Sequence, residues 1–209
     1  MNDSKLDIFT EPTNISVDTL KNLGPLAALA GTFEGAKGVD LHPEATGPAE
    51  DAYVERYTCE LLDPQTNGPQ LLYGLRYHIF ITKPGDTGTF HDQIGYWLWE
   101  PATGAIIQTL AIPRGQIAMA SGIAKPDAKR FTLKAEYGSP HYGICTNPFL
   151  DRAFKTLSYE VTVTVHDDGS WSYEQDTVLK MDGTDTVFHH TDRNRLTRIA
   201  PPKPNPKMR

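Results

Sequence analysis

The chain has 209 residues, 22% of them charged, with a formal charge of −6 and a pI near 5.6. An acidic surface excludes non-specific nucleic-acid binding, which needs basic side chains against phosphates, and docking on anionic lipid headgroups. No apolar run reaches the ~18–20 residues of a membrane helix, and the two cysteines, Cys59 and Cys145, lie outside any C-x-x-C pair, which argues against a disulfide or zinc framework. Met1–Thr13 carries Asp3, Asp7 and Glu11 beside Lys5 and no apolar stretch. A signal peptide is therefore not expected, and a cytoplasmic location with reduced thiols is. The length suits one all-β unit. Residues 16–200 are read as a single barrel domain, 1–15 as a flexible N-terminal segment and 201–209 as a flexible tail.

Only one stretch reads as helical. Ser16 is a candidate N-cap, Asp18 suits the first turn, and Leu20, Leu23, Leu26 and Leu29 follow an i, i+3 repeat up to Gly31. Gly24-Pro25 interrupts it, so one broken helix or two short turns is expected. Beyond Gly31 the period becomes two. Phe131, Leu133, Ala135 and Tyr137 share one strand face, and so do Leu157, Tyr159, Val161, Val163 and Val165. Turn signals at 63–68, 83–88, 101–104, 125–127, 167–169 and 182–183 divide the chain into about ten strands: 31–37, 52–62, 70–82, 89–100, 105–112, 115–124, 130–137, 155–166, 171–181 and 187–199. Hairpin-length turns force antiparallel neighbours, and an up-and-down barrel closes its own edges. A two-sheet sandwich is the structural alternative. Gly138–Phe154 is expected to hold a loop and a turn of helix.

The strands 70–82 and 89–100 place polar groups among apolar ones. Pairing Thr82 with Thr89 sets Phe80 opposite His91, His78 opposite Gln93 and Arg76 opposite Gly95. Arg76, His78, His91 and Gln93 then share one face, which either lines a ligand pocket or forms a polar exterior. The C-terminal pair His189-His190 offers imidazoles of the kind that hold iron. His42 and His141 sit beside prolines and read as solvated loop residues. Glu55, Glu60 and Glu174 show no acid–base spacing and read as a solvated strand face. Asp192-Arg193-Asn194 reads as a polar shell beside the histidines or as a tight turn. Arg114 is a candidate clamp for an anionic group at a barrel mouth. The hydrolase elbow, the phosphate loop, the dinucleotide fingerprint and the H-E-x-x-H zinc motif are all missing from the sequence.

Four segments, in order, resemble the nitrobindin-like haem-binding barrels. Leu26–Gly35 runs a short helix into a G-T-[WF]-x-G strand. His91-Asp-Gln-Ile-Gly-Tyr96 is similar to an H-x-E-x-G-Y strand, with Gln93 in place of the glutamate. Ala111–Gly115 matches an A-x-x-x-G segment, and His190 followed by Leu196-Thr-Arg198 matches the closing strand. The resemblance spans roughly residues 25–200. It implies a ten-stranded barrel, similar to fatty-acid-binding proteins, holding ferric haem b on a histidine of the last strands. It also implies conversion of peroxynitrite to nitrate or binding of nitric oxide. It places His91, Thr32 and Ile112 at the pocket beside Arg76, His78 and Gln93, with His190 as iron ligand and His189 as its neighbour. In the family the axial histidine precedes the closing leucine by about five residues. Here that position is Thr191, so His190 comes one residue early and, on a regular strand, would face the other way unless a β-bulge intervenes. The segments Gly38–Pro43 and Asn147–Leu150 mark a separate branch. The alternative function is a non-enzymatic carrier of a fatty-acid-like or other lipophilic ligand, and a third reading is an interaction module with a filled core. The expected partner is a small molecule in the barrel, with no nucleic acid and no membrane, and a homodimer is left open.

Overall fold

The computed structural model describes residues 7–209. The part of the N-terminal segment before residue 7 lies outside them. A four-residue helix α1 (Thr19–Asn22) is capped by Asp18, whose side chain accepts from the Lys21 backbone N–H, and not by Ser16. A 3-10 turn over Gly24–Leu29 follows, so the Gly24-Pro25 break yields two short turns. Leu23, Leu26 and Leu29 are fully buried and plug one end of the molecule, while Leu20 stays 37% exposed.

Twelve strands follow: β1 (Gly31–Glu44), β2 (Gly47–Leu61), β3 (Gln65–Asn67), β4 (Gln70–Thr82), β5 (Thr89–Glu100), β6 (Ala105–Ile112), β7 (Gln116–Ile123), β8 (Arg130–Tyr137), β9 (Gly143–Thr146), β10 (Phe154–Val165), β11 (Trp171–Met181) and β12 (Val187–Ala200). The long strands pair antiparallel with their neighbours, β10 pairs with β8, β12 returns to β1, and β2 pairs with β4, so the sheet closes into a barrel; only the short β9 lies parallel to β8. The little strand β3 only flanks β4, and β9 is wedged between β7 and β8 at one rim. A helix α2 (Pro148–Ala153), capped by the Asn147 side chain, follows β9. Closure leaves no long unpaired edge, the usual hazard of an all-β chain.

The sandwich alternative is thereby excluded, and the expected strands recur with small shifts. The largest shift is at the start. The segment Gly38–Pro43, read as a loop, continues β1, which pairs with β2 as far as Glu44↔Gly47. A register shift between Gly35 and Gly38 keeps the strand in the sheet, and Gly38 is required there because a Cβ would meet the Tyr53 ring at 2.1 Å. Pro43 and Pro48 face each other beyond the reach of β12, at an edge where a missing N–H costs no ladder bond.

Aromatic side chains fill the closed half of the barrel. Trp171 meets Phe33 and Tyr57 edge-to-face at centroid separations of 5.7 and 5.0 Å, and Trp97 donates to the Tyr57 hydroxyl at 2.8 Å. Residues 201–209, read as a flexible tail, turn back onto this end. Asn205 is buried and its amide donates to Val17 O and Asp63 Oδ1, while its carbonyl accepts from Thr19 N.

Candidate functional site

The open half of the barrel encloses a cavity of about 470 Å³, within the ~300–1,000 Å³ of small-ligand pockets. Ile79, Ile81, Leu110, Ile112, Val161 and Leu179 supply apolar wall. Polar groups face into it from β1, β2, β5, β6, β7, β10, β11 and β12.

Two register shifts decide what faces inward. Between β4 and β5, Thr82 pairs with Thr89 as expected, but Ile81 pairs with His91, so Phe90 is an extra residue and the pairing slips by one. His91 and Gln93 therefore line the cavity with Ile79 and Ile81. Arg76 and His78 lie on the outer face, paired with Glu60 at 2.5 Å and Asp92 at 3.1 Å. The expected four-residue polar face is thus split across the sheet. In β10 a shift at Leu157 turns Thr156 into the cavity in place of Leu157.

The last strand runs in unbroken register against β11. Leu196, Asn194, Asp192 and His190 alternate on its inner face, an even spacing from the closing leucine. His190 thus faces the cavity without a bulge, contrary to the expectation drawn from its one-residue offset. His189 points out, 58% exposed, with Asp176 at 2.7 Å. Thr32 alternates with the buried Phe33 and sits on the outer face of β1. Ile112 and Arg114 line the cavity, Arg114 near the mouth beside Phe90.

A cluster the sequence did not reveal surrounds His190. Its Nε2 lies 2.7 Å from Asp40 Oδ1 and 3.7 Å from Asp192 Oδ2. His42, read as a solvated loop residue, is 19% exposed on β1 with Nδ1 3.0 Å from the other Asp40 oxygen. Gln175 Nε2 donates to Asp192 at 3.0 Å. Burial works against a proton on His190, but the hydrogen bond and charge of Asp40 and the charge of Asp192 raise its pKa above the ordinary value. Burial, with the neighbouring Asp40 charge, pushes Asp192 up to about 7. His91 shifts the other way: burial lowers its pKa, and the charges of Arg114 and His190 lower it further, so it stays neutral at pH 7. Its Nε2 lies 3.4 Å from Gln93 Oε1, and Gln93 Nε2 donates to the Tyr77 hydroxyl at 2.7 Å.

Deeper in, Glu55 is 1% exposed and not part of a solvated face. Its Oε2 accepts from the Tyr173 hydroxyl at 2.8 Å and from Asn194 Nδ2 at 2.9 Å, and Tyr53 lies 2.7 Å from Tyr173. Among the described residues, Oε1 has no hydrogen-bond partner. Burial pushes Glu55 up to about 7 against two hydrogen bonds that favour the carboxylate.

Outside the barrel, a shallow groove of about 790 Å³ crosses the outer faces of β4–β7. It contains Arg76, His78 and the exposed loop residue His141. There Arg76 is paired with Glu60 and His78 with Asp92, whereas the enclosed cavity holds the clustered acids and histidines.

A family model described as "THAP4-like, heme-binding beta-barrel domain" matches residues 22–198. No curated protein matches the chain. Among solved structures, the crystal structure of Rv2717c from M. tuberculosis superposes with a TM-score of 0.59 at 20% identity, covering 86% of this chain and 96% of that one. At that identity the likeness establishes the fold. Among the described residues, no helix is long and apolar enough to cross a membrane.

Proposed function

Because the chain belongs to the THAP4-like haem-binding β-barrel family, we propose that its cavity holds haem b with His190 as the protein ligand to iron. The observation that carries this reading is the inward-facing His190 imidazole at the mouth of an apolar-walled cavity. The donor set fits. Asp40 engages one ring nitrogen of His190, the arrangement that orients a ligating imidazole and leaves the other nitrogen to coordinate. Arg114 at the rim suits a carboxylate of the cofactor's edge. His189, on the outer surface, takes no part.

Bound ferric haem would supply a Lewis-acidic iron for small oxygen- and nitrogen-containing ligands. Beside the carboxylates of the cluster, two lining side chains can meet an anionic one. Arg114 draws anions toward the mouth, and His91, neutral at pH 7, can donate one hydrogen bond inside. The aromatic plug at the far end excludes water from that side. These features support peroxynitrite as substrate. Its conversion to nitrate is an isomerisation, balanced in atoms and electrons, and so calls for no reductant. Stopped-flow decay of peroxynitrite with haem-loaded protein tests the activity. The expected result is accelerated decay with nitrate as product, reduced by His91→Ala. Decay no faster than with free hemin would overturn the assignment of activity while leaving haem binding to be judged by its spectrum.

A further inference from the structure

We propose that the haem-free chain binds one divalent transition-metal ion at the mouth of the cavity, through Asp40, His190 and Asp192. One ligand atom from each of the three lies within 4.8 Å of the others. A tetrahedral ion with bonds near 2.0 Å needs donors about 3.3 Å apart. The His190 to carboxylate separations of 2.7 and 3.7 Å bracket that value.

Two further features point to a cation. Two carboxylates from adjacent strands, Asp40 and Asp192, are paired directly across the β1–β12 ladder and turned to the same interior, one of them 6% exposed. Burying two acids together is costly unless a proton or a cation sits between them. In addition, His42 Nδ1 stands 3.0 Å from Asp40 Oδ2 but is not aligned for a hydrogen bond, and is left without a partner. It is placed to support a ligating Asp40 from behind. His190 is 31% exposed at the open end, which gives an ion a route in. One imidazole with two carboxylates suits zinc, iron(II) or manganese(II) better than calcium or magnesium, which favour all-oxygen sets. Binding displaces the proton shared by His190 and Asp40. The proposal goes beyond haem binding and competes with it, because both need His190.

The test is equilibrium dialysis of the full-length, haem-free chain against Zn²⁺, with Co²⁺ absorption as a second readout. Wild type is expected to bind one Zn²⁺ and to show the visible bands of a low-symmetry cobalt site. Asp192→Asn is expected to weaken Zn²⁺ by about tenfold or more, and His190→Ala to abolish it. Asp192→Asn is expected still to take up hemin, because His190, its partner Asp40 and Arg114 are unchanged. His189→Ala retains wild-type Zn²⁺ affinity. Wild type that binds no Zn²⁺, or an Asp192→Asn variant that folds and binds Zn²⁺ as tightly as wild type, would overturn the site. Zn²⁺ binding without any hemin binding would sustain the metal site and defeat the haem reading; hemin binding without Zn²⁺ would do the reverse.

Discussion

His190 Nε2 lies 2.7 Å from Asp40 Oδ1, tying the last strand to the first across the seam where the barrel closes. The bond fixes the ring's orientation toward the cavity. Asp40→Asn removes its charge and half of its acceptor capacity. The haem-loaded variant is expected to lose haem about tenfold faster or more. Haem transfer to an excess of an apo-haem acceptor measures this, and an unchanged rate would show that Asp40 does not position the imidazole.

Glu55 gives a pH dependence that adds to one of the same sign from Asp192. Its folded pKa, about 7, stands above its ordinary 4.5. The folded state then binds the extra proton between those values, so the stability tied to Glu55 is full below about pH 4.5 and falls as pH rises through about 7. The loss is about 3 kcal/mol by pH 8. Urea unfolding at pH 5 and pH 8 should show it, and Glu55→Gln should reduce the loss, leaving the part owed to Asp192, by removing the buried charge while keeping an acceptor for Tyr173. A slope unchanged by Glu55→Gln would show that Glu55 does not contribute to it.

Gly95, in the strand that carries His91 and Gln93, is held by its neighbour β6. A Cβ there would meet Thr109 O at 1.9 Å. Gly95→Ala must push two paired strands apart and is expected to cost about 3 kcal/mol or more. Thermal unfolding checks this; a melting point within a degree of wild type would contradict the register described.

His189 and His190 are adjacent in sequence and opposite in role. His189 pairs with Asp176 on the outer surface. His189→Ala should change stability by no more than about 0.5 kcal/mol and leave the spectrum of added hemin unaltered. A changed spectrum would place His189 in the ligand sphere.

Much of the barrel was legible in the chain. The alternation along 131–137 and 157–166 and the punctuating Gly, Pro and Asp-Gly turns mark the strands, because one face of each is dry and each turn is short. The site was less legible, for three physical reasons. Gly38, Pro43 and Pro48 are residue types that usually end strands, yet a bulge and an open edge accommodate them, which hid Asp40 and His42 inside a strand. The extra residue Phe90 leaves no mark on the hydrophobic pattern but reverses which of Arg76, His78, His91 and Gln93 meet. Finally, the Asp40–His190 contact joins residues 150 positions apart, so it exists only once β12 closes on β1. The one signal for it was the even spacing of His190, Asp192, Asn194 and Leu196, which puts all four on one strand face.

The proposed haem site rests on one imidazole, His190, as the ligand to iron. Titration of the purified chain with hemin, followed in the Soret region for wild type and His190→Ala, tests it most directly. Wild type should show a shifted, sharpened band that saturates at one haem per chain, and His190→Ala should lose it. A His190→Ala variant that binds hemin with the affinity and spectrum of wild type would contradict the account.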